Sequence, residues 1–342
     1  MPASTITVFF ATNRNPIGDP PTDFGPLLGP IDGTAIRFGT AEIDEKTLKL
    51  RKLEVAPEKL VFDDPTDKTL VLGSQQVFDA LKAKMIDHAR DTLIYVHGFG
   101  YSFTEALVRA AEFKKWLAVQ MNIFVFTWPS DGKMVPLMSY PKDRADVERS
   151  GDAMARAIEI AARYLQKIAT DDRCEQRLNI LAHSMGNYAL RYGVQGLLRR
   201  YHSTLPRLFD KVILAAADED ADTFEFDAKL KPLAQLAQQV LVYHTPRDRA
   251  LIVSDLTKGN PDRLGAGGPD NTRSLNDKVS VVDVSEALSG DDDATNHQYY
   301  RVNTRVRADL RQVFGDIVPF QVKGRLYLPD AKRYRLKKAM PS

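Results

Sequence analysis

Ser184 sits in "NILAHSMGNYALR" (residues 179–191), between an apolar run and a stretch with helical spacing. A serine so placed either caps a helix or stands on a sharp strand-to-helix turn as a nucleophile. The flanking residues separate the two readings. Ala182 lies two positions before it and Gly186 two after, and a strained elbow needs small neighbours on both sides, which a cap does not. The usual pattern has glycine at both places; Ala182 departs from it but keeps the smallness. A serine hydroxyl is a weak nucleophile at neutral pH. The reading therefore requires a base beside it and a carboxylate to orient that base.

The chain has 6 histidines. His297 follows the last apolar run, where a loop can fold back over the sheet's carboxyl edge, and is the first candidate base. His244, at the end of "VLVYHT", is the second. His183 is Ser184's neighbour, and adjacent side chains diverge on a sharp turn, so it reads as a packing residue. His97 reads as holding a turn, and His88 and His202 as solvated near helix ends. Two acids compete. Asp248 in "YHTPRDRAL" and Asp218 in "AAADEDAD" each follow a strand, and Asp248 is preferred because its strand adjoins the one before His297. Asp220, Asp222 and the acidic run at 291–293 read as solvated, although that run could raise the basicity of His297. The glycine-flanked "HGFG" (97–100) offers backbone N–H groups to a developing oxyanion: Phe99 or Gly100, joined by Met185 after the serine. It matches neither of the common phosphate-binding glycine patterns.

These residues need a scaffold that brings strand ends together. From residue 91 the chain alternates near-continuous apolar strands with helices ("TLIYVHG", "IFVFTWP", "RLNILAHS", "KVILAAAD", "QVLVYHT", "KVSVVDVS"). Such alternation predicts an α/β fold: a mostly parallel, doubly wound sheet covered by helices on both faces, with ligands at the strands' carboxyl ends. "AIRFGTAEID" and "LKLRKLEV" add an antiparallel N-terminal edge. We read residues 1–342 as one domain: edge strands, loop and helix over 1–90, a catalytic core over 91–315 and a C-terminal extension over 316–342. Ser102 with Glu105 predicts a capping box. Residues 15–33, dense in proline and glycine, read as loop, and 257–278 as a long mobile loop. The segment "FDAKLKPLAQLAQQ", the span 143–169 and "HQYYRVNTRVRADLRQVF" read as helices. The loop 130–142 carries Met134, Val135, Leu137, Met138 and Tyr140; with Tyr101, its Met134, Leu137 and Met138 are candidates to line an acyl pocket.

Composition excludes more than it proposes. The 342 residues hold 47 basic and 45 acidic side chains, a formal net charge of +2, so no global field calls for nucleic acid. The basic stretch 330–340 reads as a solvated terminus. A single cysteine, Cys174, leaves no intramolecular disulfide and no Cys–His metal cluster, so neither metal nor cofactor is expected. There is no signal-like N-terminus and no run of 18 apolar residues, so the expectation is a cytoplasmic protein without stable membrane insertion. Oligomeric state is not encoded in these patterns.

The stretches "VFFATNRN", "YVHGFGYSFTEALVRAAEF", "FTWPSDGK", "LAHSMGNYALR", "VILAAADEDADTF" and "VYHTPRDRALIVS", in this order, resemble the α/β-hydrolase superfamily. More narrowly they are similar to an esterase/lipase-like family of unknown function found widely in bacteria. That resemblance implies a Ser184–Asp248–His297 triad in the chain order nucleophile, acid, base, with "HGFG" as the oxyanion loop. It implies acyl transfer on a small-molecule ester, with short to medium acyl groups expected. A thioesterase, amidase or acyltransferase would use the same residues, and a non-catalytic binding protein could share the fold.

Overall fold

Residues such as those of "TLIYV", "NIFVFT" and "LNILAH" are buried almost throughout, as strands covered on both faces must be. The computed structural model describes residues 4–30, 33, 35–57, 73–117, 120–130, 136–167, 175–201, 205–251, 262–288 and 293–338. In chain order the strands are β1 (Thr5–Thr12), β2 (Arg14–Ile17), β3 (Asp23–Leu28), β4 (Arg37–Asp44), β5 (Leu50–Val55), β6 (Thr92–Val96), β7 (Asn122–Thr127), β8 (Leu178–His183), β9 (Phe209–Ala215), β10 (Ala237–His244), β11 (Val279–Asp283), β12 (Arg325–Leu328) and β13 (Arg333–Leu336). The longer helices are α1 (Gly73–Asp87), α2 (Phe103–Trp116), α3 (Pro136–Lys167), α4 (Met185–Tyr201) and α5 (Thr304–Phe314).

One 11-stranded sheet runs in the order β12-β13-β11-β10-β9-β8-β6-β7-β1-β4-β5. From β13 to β1 every neighbouring pair is parallel. Antiparallel strands close both edges, β4 and β5 on one side and β12 on the other. The chain steps outward from β6 to β7 and then returns to β8 on β6's other side. That reversal makes the gap between the carboxyl ends of β6 and β8 the topological switch point, where open α/β sheets form their crevice.

Alternation along each strand feeds two cores. Leu93, Tyr95 and Leu181 pack on the α2 and α5 face, while Ile94, Val96, Ile180 and Ala182 face α1, α3 and α4. Ser102 caps α2 in the capping box expected of it, with Glu105 reaching back to the Ser102 N–H at 2.9 Å.

The structure departs from the local reading in six places. Residues 333–336 of the stretch read as a solvated terminus form β13, paired with β11 on one side and β12 on the other. Residues 14–28 form a two-stranded ribbon rather than loop, β2 on β3. Helix α3 begins at Pro136, and Pro141, whose missing N–H costs one hydrogen bond, is accommodated inside it. Only one helical turn, Leu233–Leu236, forms in "FDAKLKPLAQLAQQ", because turn bonds such as Leu230 N–H to the Thr223 carbonyl (3.0 Å) fold the segment back first. The last helix is broken at Asn303, whose side chain caps α5 by accepting from the Arg305 and Val306 N–H groups at 2.9 and 3.0 Å. Finally, 262–278 is tied down: Arg263 is fully buried and donates to Asp220 at 2.7 Å, and Gly265 N–H reaches the Ala217 carbonyl at 2.9 Å. The remainder of that expected loop, 257–261, lies outside the described residues. Among the described residues no helix is long and apolar enough to cross a membrane.

Candidate active site

Ser184 stands between β8 and α4 with φ of 54°, in the left-handed region that costs a non-glycine residue energy. The surrounding bonds hold it there. Its N–H donates to the Ala215 carbonyl at 3.1 Å, and its own carbonyl accepts from Asp218 N–H at 3.2 Å. The buried Asn187 side chain adds an amide donor to the Ser184 carbonyl at 3.0 Å and to Ala182 at 3.2 Å. In the sequence Asn187 looks like an ordinary helix residue.

Small neighbours are required by contact. A Cβ on Gly186 would stand 2.5 Å from the Val96 carbonyl oxygen and 2.7 Å from that of His97. A Cβ on Gly98 would stand 2.9 Å from the Ser184 Cβ, so the 97–100 turn lies directly against the elbow. Gly186→Ala is therefore expected to lower unfolding stability by about 2 kcal/mol or more, read by urea denaturation. A loss within experimental error would mean that β6 yields freely.

His297 is buried at 9% exposure, and its Nδ1 lies 2.7 Å from Asp248 Oδ2. A carboxylate only accepts, so Nδ1 carries the proton and Nε2 is left as the basic nitrogen. Asp248 is itself fully buried, its Oδ1 accepting from the Ala250 and Leu251 N–H groups, each at 3.1 Å. Burial disfavours the imidazolium, but the charge and hydrogen bond of Asp248, with the charges of Asp218 and Asp293, outweigh it. The His297 pKa is raised above its ordinary value.

Asp293, expected to be solvated, instead accepts from the His297 and Gln298 N–H groups, both at 2.7 Å. Thr295 and Asn296 dock on the other loop: the Thr295 carbonyl accepts from Arg249 N–H at 2.8 Å, and Asn296 Nδ2 donates to the Arg247 carbonyl at 3.3 Å. Together these bonds lay residue 297 over residue 248. Asp291 and Asp292 lie outside the described residues.

His183 packs beneath, its ring 4.7 Å from that of His297 and its Nε2 3.2 Å from the His297 carbonyl. Burial pushes its pKa well down, so it is a neutral donor. His97 is likewise buried, stacked on Trp128 at 4.9 Å and bonded to the Gly98 carbonyl at 2.8 Å; burial first, then the charge of Arg14, lowers its pKa to about 3. His244 points elsewhere, to the Ala266 carbonyl at 3.1 Å.

Arg14 organises the turn from the far side of β7. Its buried guanidinium donates to the Tyr101 carbonyl at 2.7 Å, the Ser130 carbonyl at 3.0 Å and Thr127 Oγ1 at 2.9 Å. It thus ties the loops after β6 and β7 together. The sequence signal is a charged residue two positions past an apolar strand, in "ATNRN". Gly100 N–H donates to Ser130 Oγ at 2.9 Å, and Ser130 in turn donates to Asp143. Gly100 is thereby engaged, in contrast to its reading as an oxyanion donor. Met185 opens α4, where an N–H has no partner within the helix.

Asp218 lies on the other flank of the elbow and does not bond to His297. It accepts from the Tyr140 hydroxyl and pairs with Arg263 Nε at 3.5 Å. Tyr140 also packs its ring 5.6 Å from that of Phe99. Asp220 and Asp222, expected in solvent, are ion-paired with Lys229. Of the candidate pocket residues, Tyr101 is half-buried with its ring 5.8 Å from His97. Leu137 and Met138 fall in the first turn of α3, and Met134 lies outside the described residues.

A mostly parallel sheet with antiparallel edges and a serine elbow at its switch point defines an α/β hydrolase. Residues 74–315 match the family described as "Alpha/beta hydrolase of unknown function (DUF900)", and the chain belongs to that family. No curated protein matches it. Among solved structures it is similar to an acylaminoacyl peptidase from Pyrococcus horikoshii, at 13% identity and TM-score 0.34, over 84% of this chain and 48% of that one. It is also similar to phospholipase PlaB from Legionella pneumophila, in complex with thio-NAD, at 17% identity and TM-score 0.24, over 61% and 41%. The chain thus spans less than half the length of each.

Proposed function

We propose that this hydrolase cleaves carboxylic esters with short or medium acyl groups, using Ser184 as nucleophile, His297 as general base and acid, and Asp248 as the group that orients it. One observation carries the reading: a serine forced into a left-handed elbow at the switch point, and an imidazole whose Nδ1–H is committed to a buried carboxylate at 2.7 Å and whose ring packs 4.7 Å from that of His183, the serine's neighbour in the chain. His297 Nε2 takes the hydroxyl proton as Ser184 attacks the carbonyl, and Asp248 stabilises the imidazolium. The oxyanion is received by the N–H groups of Phe99 and Met185, the latter at the positive end of the 17-residue α4. Gly100 is left out, since its donor is spent on Ser130. His297 then protonates the departing alcohol, and water hydrolyses the acyl-enzyme through the same base. Phe99 and Tyr140, in ring contact beside the elbow, border the acyl group.

The raised pKa of His297 sets a pH profile. The base works only when neutral, so kcat/KM rises with pH through the folded pKa, and its midpoint is expected above ~6.5. Asp218→Asn removes one charge that retains the proton, and should move that limb to lower pH. A midpoint that Asp218→Asn leaves in place, or moves upward, would contradict this assignment. The function itself is tested by initial rates on nitrophenyl acetate through decanoate. Saturable turnover that declines at the longer chains is expected; inertness toward every ester in the series would overturn it.

A further inference from the structure

A cavity of about 660 Å³ lies on the other side of the sheet from His183 and His297, between the strands and helices α1 and α3. Phe78, Leu81 and Met85 of α1 form one wall, and Met154, Ile158 and Ala161 of α3 another. Phe124, Ile94 and Ile180 form the floor. Along β6 it extends from Val96 down to Thr92, roughly 13 Å at ~3.3 Å per residue. Neither Ser184, Met185, Phe99 nor His297 lines it.

The distribution of polar groups is uneven. Gln176, Arg177, Arg207, Asp210 and Gln238 all come from the amino-terminal ends of β8, β9 and β10 or the residues just before them, at the edge opposite the elbow. Lys82 of α1 is the other charged liner. Three cations thus face one carboxylate. Arg177 is already shared between Asp210 and Asp316, and Arg207 donates to Gln238, so the surplus positive charge rests on Arg207 and Lys82.

From this shape and charge we infer that the cavity is a binding site for a single-chain amphiphile with an anionic head, a fatty acid being the simplest member, separate from the catalytic centre. An occupant that covers these aliphatic and aromatic walls removes them from water, which favours an apolar one. The volume and lining are those of small-molecule sites: a largely apolar chamber with a few polar groups that fix orientation. The basic end would receive the carboxylate, and the chain would run along β6 toward Val96. The inference does not rest on the triad, because none of its residues touches the cavity.

The test uses the full-length protein after delipidation, with palmitic acid and 1-hexadecanol as probes, read by calorimetry and by the thermal midpoint. Palmitate is expected to bind saturably, one per chain, and to raise Tm, with hexadecanol about 10-fold weaker for want of the charge. Ala161→Trp, which fills the chamber, should weaken palmitate about 10-fold or more. If that variant fails to fold, Ala157→Leu on the same wall gives the same direction. Lys82→Glu should weaken palmitate but leave hexadecanol unchanged. Binding should persist in Ser184→Ala, and saturating palmitate should not slow fluorophosphonate labelling of the wild-type serine. Absence of saturable binding, undiminished binding in Ala161→Trp, equal affinity for the alcohol, or protection of Ser184 from the label would each overturn the proposal.

Discussion

Ser184→Ala is expected to lower kcat on nitrophenyl esters by about 10⁵- to 10⁶-fold, to a residue left by oxyanion donors and substrate binding alone. The fold should survive, because what holds residue 184 is backbone: its N–H to Ala215, its carbonyl to Asp218 and Asn187. The same strained φ of 54° yields a companion outcome. Ser184→Gly, equally inactive, relieves the left-handed strain and should be more stable than Ser184→Ala by roughly 1 kcal/mol in urea denaturation. Activity and stability thus move separately at one position. A Ser184→Ala protein retaining more than about a hundredth of wild-type kcat would remove the serine from the chemistry.

Asp248→Asn has the next largest expected effect, about 10⁴-fold in kcat at the plateau pH. The carboxylate accepts the His297 Nδ1 proton at 2.7 Å while its other oxygen accepts two backbone N–H groups at 3.1 Å. An amide that presents its NH₂ to the ring would stabilise the wrong tautomer, with the proton on Nε2, and one that presents its oxygen would turn its NH₂ against those backbone donors. Either way the imidazolium loses its counter-charge in a buried site. Asp218→Asn is the control. Asp218 is as deeply buried, yet its partners are Tyr140 and Arg263, and its substitution should cost no more than about 10-fold. The reverse ranking in steady-state kinetics would transfer the orienting role to Asp218.

Much of the scaffold was legible because its signals are local. Near-continuous apolar runs announced the parallel strands, and the helices between them followed from spacing and from the Ser102–Glu105 cap. Ser184, Asp248 and His297 could be singled out because each follows an apolar run, and in a parallel sheet such ends share one edge. What could not be read depends on pairing between distant residues. The charge of Arg14 is satisfied by residues 87 to 116 positions away, so sequence shows only a cation after a strand. Asp293 looked solvated within an acidic run, yet its carboxylate is bonded to two N–H groups beside His297. The glycine-rich 262–278 stretch has the composition of a mobile loop, but the buried Arg263 anchors it to Asp220. Breaks such as Asn303 are visible only once its side chain is known to prefer capping to continuing.

The central claim, that Ser184 is a nucleophile activated by His297, is tested most directly by intact-mass analysis after exposure to a fluorophosphonate. One covalent adduct per chain, mapped to the peptide containing "AHSMG", is expected for the wild type. The adduct should be absent in Ser184→Ala and should form far more slowly in His297→Ala. Labelling that persists in Ser184→Ala, or a wild-type protein that takes up no label, would contradict the account.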